Sequence, residues 1–275
     1  MADQTISKMK EIKPFLKWAG GKRWLASKFP EFFPDTFNKY LEPFLGSGSI
    51  YFHLKPEIAI LSDLNSELIE TYSAIKNDWQ KVFDHLVIHQ RNHCKDYYYE
   101  VRGKNYESEF TRAAKLIYLN RTCWNGLYRV NLKGEFNVPI GTKNKVINAE
   151  ESFFEIANLL QNAELINEDF ESIVDRAITG DFLFVDPPYT VKHNYNGFVK
   201  YNENLFAWDD QIRLRDALIR AASRNVKILL TNACHESVIQ LYEDFFQINI
   251  VERASVISGS NVGRGSYEEI IVQNL

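Results

Sequence analysis

Residues 182–189 read Phe-Leu-Phe-Val-Asp-Pro-Pro-Tyr. The four consecutive apolar residues predict a buried strand of a parallel sheet, because such strands are covered on both faces. The two prolines that follow form a rigid turn and favour an extended backbone at Asp186. Ligands of open α/β sheets lie beyond the carboxyl ends of the strands, so Asp186 and Tyr189 are predicted to line a binding site.

Predicted strands alternate with predicted helices over much of the chain. Apolar runs at 58–61 and 226–230 predict further strands. Helix-like stretches lie between the strands at 65–76, which follows an Asp/Asn start, at 209–224, where apolar residues recur at helical spacings, and at 235–246. This order predicts an α/β fold, in which an open sheet carries helices on both faces.

A glycine-containing turn follows another short predicted strand at 39–41. Residues 42–49 read Glu-Pro-Phe-Leu-Gly-Ser-Gly-Ser, and a helix is predicted to begin near Ser49. The glycines allow a ligand to approach the backbone closely, although a plain tight turn explains them equally well. Asp63 ends the next strand, where a carboxylate can accept hydrogen bonds from ribose hydroxyls or cap the following helix.

Residues 78–163 interrupt the alternation with a helix-rich, aromatic and basic stretch. The whole chain has a net charge of -4, but segment 111–145 has seven basic residues and one acid, Glu135. Such asymmetry favours a surface that faces a polyanion, although a solvated surface is the simpler alternative. We therefore predict a catalytic domain formed by 1–77 and 164–275, with 78–163 inserted as a second domain.

Composition excludes several other classes of protein. The three cysteines, Cys94, Cys123 and Cys234, have no CxxC spacing, so neither a disulfide framework nor a zinc knuckle is indicated. Without a signal peptide or an apolar run of about 20 residues, the chain is expected in the cytoplasm and off the membrane. His85, His89 and His93 share a helical face, but no further ligand completes a metal site, and none is expected.

The residues after the 182–185 strand suit a planar amine. Asp186 supplies a carboxylate, the prolines leave carbonyl oxygens as acceptors, and Tyr189 supplies a flat ring. An exocyclic NH2 group would donate to these acceptors while its ring stacks on the tyrosine. A purely structural turn is the alternative.

The order of motifs resembles the Dam-like adenine-specific DNA methyltransferases (D12 class, alpha group), a family that also serves restriction–modification systems. The motifs are KWAGGK (17–22), EPFLGSG (42–48), SDLN (62–65), LNR (119–121), WNGLYRVN (124–131), FNVPIG (136–141), EDF (168–170), DPPY (186–189) and EEII (268–271). The resemblance implies a Rossmann-like methyltransferase sheet, a mainly helical target-recognition domain at 78–163, and S-adenosylmethionine as methyl donor.

The resemblance also implies roles for individual residues. Asp63 would bind the ribose of the cofactor, Asp169 would accept from its adenine amine, and Phe170 would pack on that ring. Asp186, Pro187 and Tyr189 would be catalytic and hold the flipped target adenine. The other implied cofactor contacts are Trp18, Lys22, Phe44, Gly46, Gly48 and Asp186 itself.

Duplex DNA is the implied substrate. Arg129 is expected to read a guanine edge, and Trp124, where tyrosine is expected, would wedge into the base stack. Arg121, Asn125, Leu127 and Pro139 are further expected contacts. The match around Arg129 indicates GATC as the target, although Thr142 stands where the family often has a basic residue. We expect a monomer with no obligate protein partner.

Alternative activities fit the residues less well. Cytosine-C5 methylation needs a cysteine nucleophile, usually after proline, and no proline precedes a cysteine here. Cytosine-amine methylation usually has serine in place of Asp186. Methylation of RNA or of protein glutamine, and a non-catalytic DNA-binding regulator with this fold, remain as alternatives.

Overall fold

The computed structural model describes residues 12–131, 133–148, 152–192, 206–254 and 266–274. These residues fall into two compact units. The first contains those within Met1–Ser27, Gly46–Lys55 and Ser66–Asn162, and the second those within Lys28–Leu45, Pro56–Asn65 and Ala163–Leu275. Every helix in these described ranges is too short or too polar to traverse a lipid bilayer.

The first unit is mainly helical. Its helices are α1 (Arg23–Lys28, whose last residue belongs to the second unit), α2 (Ser49–Leu54), α3 (Ser66–Asn92), α4 (Lys95–Gly103), α5 (Glu109–Thr122) and α6 (Phe153–Leu160). Helix α3 packs against α5 and α6. It breaks at Asp78, where φ is -157° and ψ is 81°. The Asp78 carboxylate accepts a hydrogen bond from the backbone N–H of Lys81 and so caps the second half of the helix.

The second unit contains a seven-stranded sheet. Its strands are β1 (Tyr40–Glu42), β2 (Ala59–Ser62), β3 (Ala163–Ile166), β4 (Phe182–Val185), β5 (Lys227–Ala233), β6 (Gln247–Ala254) and β7 (Ser266–Gln273). The spatial order is β3-β2-β1-β4-β5-β7-β6. Strands β1 to β5 are parallel, and β7 runs antiparallel between β5 and β6.

Within the second unit, three helices share a buried cluster with the sheet: α7 (Phe170–Asp175), α8 (Trp208–Ser223) and α9 (Glu236–Tyr242). Leu183 and Val185 of β4 and Leu230 of β5 belong to this cluster together with Leu214 and Leu218 of α8. Burial of each such side chain stabilises the fold by about 1.5–3 kcal/mol. The cluster therefore fixes the strands, and with them the residues directly after β4 and β5.

The predicted α/β fold class is confirmed. Strand β4 occupies the predicted residues, and α3 begins one residue after its predicted start but continues past residue 76. Strands β3, β6 and β7 were not predicted. Their sequences mix polar with apolar residues, as in the Gln-Ile-Asn-Ile start of β6, and none has a run of four or more apolar residues. The domain limits at 78 and 163 stay a prediction, with the α3 break falling at Asp78.

Candidate active site

Asp186 lies directly after β4 and is held by the neighbouring strand. Its Oδ1 accepts a hydrogen bond of 2.7 Å from the hydroxyl of Thr231. In the sheet, Val185 pairs with Leu230 in parallel register, so Thr231 is the next residue along β5. Because β5 extends beyond the end of β4, the buried Thr231 side chain reaches the Asp186 carboxylate.

Tyr189 is held by the antiparallel strand β7. Its hydroxyl donates a 2.9 Å hydrogen bond to Oε2 of Glu269, a side chain that is only 4% exposed. Burial raises the pKa of Tyr189 well above its usual value, and the carboxylates of Asp186 and Glu269 raise it further. The phenol therefore stays protonated and acts as a hydrogen-bond donor.

The backbone after the tetrad Asp186-Pro187-Pro188-Tyr189 is fixed by hydrogen bonds at Thr190. The Thr190 carbonyl accepts a 3.4 Å hydrogen bond from the Gln211 side chain, whose own oxygen accepts one of 3.1 Å from Asn232. The Thr190 hydroxyl donates to the carbonyl of Phe206 at 2.6 Å. Gln211 and Asn232 are fully buried, so this chain of hydrogen bonds is shielded from water.

Two of the expected adenine-site residues meet at the start of α7. The Asp169 carboxylate accepts hydrogen bonds from the backbone N–H of Glu171 at 3.0 Å and from Arg213 at 2.6 Å. Phe170 is 4% exposed, stacks on Phe44 with a centroid distance of 5.5 Å, and has the Arg213 guanidinium 4.8 Å from its ring centre. Phe44 is the more accessible of the two rings.

Asp63 follows β2 and caps a turn. Its Oδ1 accepts from the backbone N–H of Asn65 at 3.0 Å, just before α3 begins. Its carbonyl accepts from the Asn167 side chain at 2.8 Å. The bond to Asn65 closes a turn ahead of α3, which begins at Ser66, so Asp63 does not occupy the N-cap position of that helix. Its contact with a ribose stays a prediction.

In the first unit, Trp18 and Gly46 are in close contact. A Cβ at Gly46 would lie 2.8 Å from Cδ1 of Trp18, and the residue has a φ of +49°. Tyr72 donates to the Gly46 carbonyl at 3.1 Å, and Trp18 stacks on Tyr128 with a centroid distance of 5.1 Å. Only glycine meets both the conformational and the steric requirement at this position.

The other expected cofactor residues of the first unit flank α2. Gly48 has a φ of +62° and precedes this helix as its N-cap. Lys22 is buried, and its ammonium group donates to the Gly20 carbonyl at 2.8 Å. Its backbone N–H donates to the hydroxyl of Ser49 at 3.0 Å, which ties the 17–22 segment to the start of α2.

The segment predicted to recognise DNA, residues 124–139 (the recognition segment), exposes the side chains of Trp124, Asn125, Arg129 and Pro139. It begins with a single 3-10 turn, Trp124–Gly126, in which Trp124 is 57% exposed and Asn125 has a φ of 59°. The Trp124 backbone N–H donates to the carbonyl of the exposed Pro139 at 2.8 Å. Backbone hydrogen bonds therefore hold the turn while its side chains stay accessible.

Arg129 and Asn137 face each other within this segment. The Asn137 N–H donates to the Arg129 carbonyl at 3.1 Å, and the Arg129 Nε donates to the Asn137 side-chain oxygen at 2.8 Å. Arg129 is exposed. The bond through Nε orients the guanidinium and leaves its outer edge toward solvent.

Arg121, expected to contact DNA, is a structural residue instead. Its side chain is 7% exposed, and its guanidinium donates to the carbonyls of Phe15 and Val146. It also lies over the Phe153 ring. Because these contacts occupy the guanidinium inside the unit, the expectation of a DNA contact was wrong.

Sequence reasoning missed a pair of lysines. The pKa of Lys17 is lowered, first because the Lys143 side chain lies within hydrogen-bonding distance and next because of burial. Asn120 fixes Lys17 by bonding both its backbone N–H and its carbonyl at 2.8 Å. Two adjacent ammonium groups repel each other, and an anion placed between them would relieve that repulsion.

Two histidines of the 85–93 face, His89 and His93, pack against tyrosine rings. His89 contacts the Tyr97 hydroxyl at 2.9 Å, and His93 contacts the Tyr118 hydroxyl at 2.8 Å. Burial, and then the nearby His85, lowers the pKa of His89 to about 4. His89 is therefore neutral at physiological pH.

The family of the chain follows from its sequence. Residues 18–257 match the model of the D12 class N6 adenine-specific DNA methyltransferases. The chain belongs to this family and is an adenine-specific DNA methyltransferase, as its motifs had predicted.

Three characterised relatives illustrate the range of the family. The type II methyltransferase M1.LlaDCHI of Lactococcus lactis subsp. cremoris is 37% identical, covering 96% of this chain and 95% of that protein. The type II methyltransferase M.MjaIII of Methanocaldococcus jannaschii is 34% identical over 96% and 99%. The DNA adenine methylase of Escherichia coli K12 is 31% identical over 96% and 95%.

Proposed function

We propose that this enzyme transfers the methyl group of S-adenosylmethionine to the N6 amine of adenine within GATC in double-stranded DNA. The target base is turned out of the duplex to reach the tetrad. The observation that carries the proposal is the carboxylate of Asp186, presented at the end of β4 and fixed by Thr231. A fixed acceptor at this edge of an α/β sheet suits an exocyclic amine.

The chemical problem is that the adenine amine is a poor nucleophile, because its lone pair is delocalised into the ring. Hydrogen bonds from its two hydrogens to Asp186 and to the Pro187 carbonyl favour a pyramidal nitrogen. These acceptors also stabilise the positive charge that develops on the nitrogen, and they orient it for in-line attack. No covalent bond to the enzyme is needed. S-adenosylmethionine would supply the electrophilic methyl group on its sulfonium sulfur. As the N–CH3 bond forms, the S–CH3 bond breaks and the neutral thioether S-adenosylhomocysteine leaves, and the alkylated nitrogen then loses one proton to solvent.

Stacking on Tyr189 favours the extruded base. Base flipping costs a few kcal/mol of lost stacking and pairing in the duplex. The Tyr189 ring replaces part of this stacking, and its hydroxyl is tied to Glu269, so the ring is already oriented before the base arrives.

The residues of each unit fit an S-adenosyl group. In the second unit, we assign Asp63 to the ribose hydroxyls, Asp169 to the adenine amine and the accessible Phe44 ring to apolar contact. Phe170 is too buried for extensive contact with an adenine and supports Phe44 from below. In the first unit, we assign Trp18, Lys22, Gly46 and Gly48 to cofactor binding. The assignment of Gly46 is supported by its lack of a Cβ, which leaves its backbone open to close contact, as the nearby Trp18 ring shows.

The recognition segment supplies the DNA contacts in this proposal. Arg129 donates to a guanine, and the exposed Trp124 ring fills the gap left by the flipped base. Asn125, Leu127 and Pro139 make further contacts. Lys143, beside Lys17, provides a phosphate contact one residue beyond Thr142, where the family often has a basic residue. The enzyme acts as a monomer, in the cytoplasm, without an obligate protein partner.

The test uses purified enzyme, S-adenosylmethionine with a labelled methyl group, and two duplexes. One contains a single GATC, and the matched control has one base pair of the site changed. We expect label only in the GATC duplex, on N6 of its adenine by nucleoside analysis. Label on cytosine, or equal label in both duplexes, would contradict the proposed reaction or site. A non-catalytic regulator would bind DNA and label neither.

A further inference from the structure

Two side chains beyond the tetrad hold its reactive groups, and both come from the β5–β7 pair. Thr231 of β5 bonds to Asp186, and Glu269 of β7 bonds to Tyr189. Thr231 is fully buried and Glu269 is 4% exposed. In the antiparallel register, Thr231 pairs with Ile271 and Glu269 pairs with Ala233, so two adjacent strands carry the two contacts.

The Thr231 hydroxyl fixes the rotation of the Asp186 carboxylate. A carboxylate rotates readily about its last bond, and its orientation decides whether an oxygen lies in the plane of an approaching amine. The 2.7 Å bond from the buried hydroxyl ties Oδ1 to a strand of the sheet. The other oxygen is thereby directed without rearrangement at the moment of reaction.

The Glu269 carboxylate fixes the Tyr189 ring. A tyrosine ring held at its hydroxyl keeps both its tilt and its depth, which sets the plane on which a base can stack. Glu269 lies on β7 between its partners Ala233 of β5 and Val251 of β6, so its backbone is paired on both sides. A strand of the sheet, and not a loop, therefore fixes the position of the Tyr189 ring.

We propose that Thr231 and Glu269 are positioning residues for methyl transfer, with Thr231 orienting the Asp186 carboxylate toward the target amine and Glu269 orienting the Tyr189 ring beneath the target base. This inference rests on the proposed function of the tetrad. Neither residue contacts the reacting atoms. Glu269 acts through Tyr189, and Thr231 acts through Asp186 while also lying within hydrogen-bonding distance of Tyr189.

The test for Thr231 compares one isosteric and one hydroxyl-retaining variant in single-turnover methylation with saturating S-adenosylmethionine and DNA. Thr231→Val keeps the shape and removes the hydroxyl, and Thr231→Ser keeps the hydroxyl. We expect Thr231→Val to slow transfer about 10- to 100-fold, while Thr231→Ser stays within about threefold of the parent. Dissociation constants for DNA and for S-adenosylmethionine stay within about threefold in both variants.

Thr71→Val is the matched control for loss of a buried threonine hydroxyl. Thr71 is 1% exposed, and its hydroxyl donates within its own helix, to the Glu67 carbonyl at 2.7 Å. Melting temperatures are recorded for all variants. We expect Thr71→Val to lose stability without losing transfer rate. Equal rate losses in Thr71→Val and Thr231→Val would reduce Thr231 to a structural residue and overturn the inference.

The test for Glu269 is a double-mutant cycle with Tyr189. If Glu269 acts through the tyrosine hydroxyl, Glu269→Gln slows transfer in the parent but adds little in a Tyr189→Phe background. A full, additive loss in that background contradicts the assignment. Parent enzyme that leaves DNA unlabelled overturns the proposed function and this inference together. Active parent enzyme with an unimpaired Thr231→Val variant overturns the inference alone.

Discussion

The tetrad and the recognition segment use side chains in opposite ways. In the tetrad, Asp186 and Tyr189 bond to the buried side chains of Thr231 and Glu269. In the recognition segment, backbone hydrogen bonds such as that from Trp124 to Pro139 hold the turn, and the side chains of Trp124 and Arg129 are exposed. Buried polar pairs specify one geometry, whereas exposed side chains can change without disturbing the fold. The comparison assigns reaction rate to one region and sequence preference to the other.

The largest effect is expected from removal of the Tyr189 ring. Tyr189→Ala should reduce single-turnover transfer about 100-fold or more, because both the stacking surface and its anchor to Glu269 are lost. The preference for GATC over a one-base variant should be unchanged. Transfer rates on the two duplexes measure both quantities. A changed preference would show that the tetrad also contributes to sequence recognition, which would contradict the separation of the two regions.

Arg129→Ala should change preference more than rate. Loss of a guanine contact removes about 1–3 kcal/mol of discrimination, which corresponds to roughly 5- to 150-fold in relative affinity. Lys133→Ala, a change at an exposed basic residue of the same segment, is the control. We expect Arg129→Ala to weaken binding to GATC but not to the variant site. A uniform loss on both sequences would make Arg129 a phosphate contact.

Lys143→Ala should have a smaller and sequence-independent effect. If Lys143 contacts one phosphate, the slope of log affinity against log salt concentration becomes shallower by about 0.9. The measurement is DNA binding over a range of salt concentrations. An unchanged slope would contradict a phosphate contact by Lys143.

The smallest effect is expected on the pH dependence of the transfer rate when the Tyr189 hydroxyl is removed. Since the pKa of Tyr189 lies well above its usual value, the phenol does not ionise in the working range. Stability contributed by this shift is present below the ordinary pKa of about 10 and is lost as the pH rises through the folded-state pKa. Rate profiles of the parent and of Tyr189→Phe between pH 7 and about 10 should therefore run parallel. A fall in the parent alone would contradict a permanently protonated phenol.

The sequence predicted the tetrad because its signal is local. An apolar run followed by Asp-Pro-Pro-Tyr indicates a strand end and an acceptor without knowledge of the rest of the fold. Thr231 and Glu269 lie 45 and 80 residues from their tetrad partners. Their roles depend on strand order and register, which no local pattern determines.

Arg121 shows what a local sequence signal does not determine, namely the direction of a side chain. It was counted with the basic residues because charge can be read from the sequence, but the direction of a side chain cannot. On α5 it turns inward and bonds to backbone carbonyls. Phe170 was likewise expected to face a ligand, and its burial beneath Phe44 follows from packing across distant elements. Motif membership identified the position of both residues but not the surface that each presents.

The most direct test of the account separates chemistry from binding at Asp186. Asp186→Asn keeps the size of the side chain and replaces one acceptor oxygen by an NH2 donor, which disfavours the amine hydrogen bond. Single-turnover transfer is measured with bound S-adenosylmethionine and a GATC duplex, alongside DNA binding. The account predicts a loss of about 100-fold or more in transfer with DNA affinity retained. Transfer at the parental rate in Asp186→Asn would contradict the assignment of Asp186 as the acceptor that orients the target adenine.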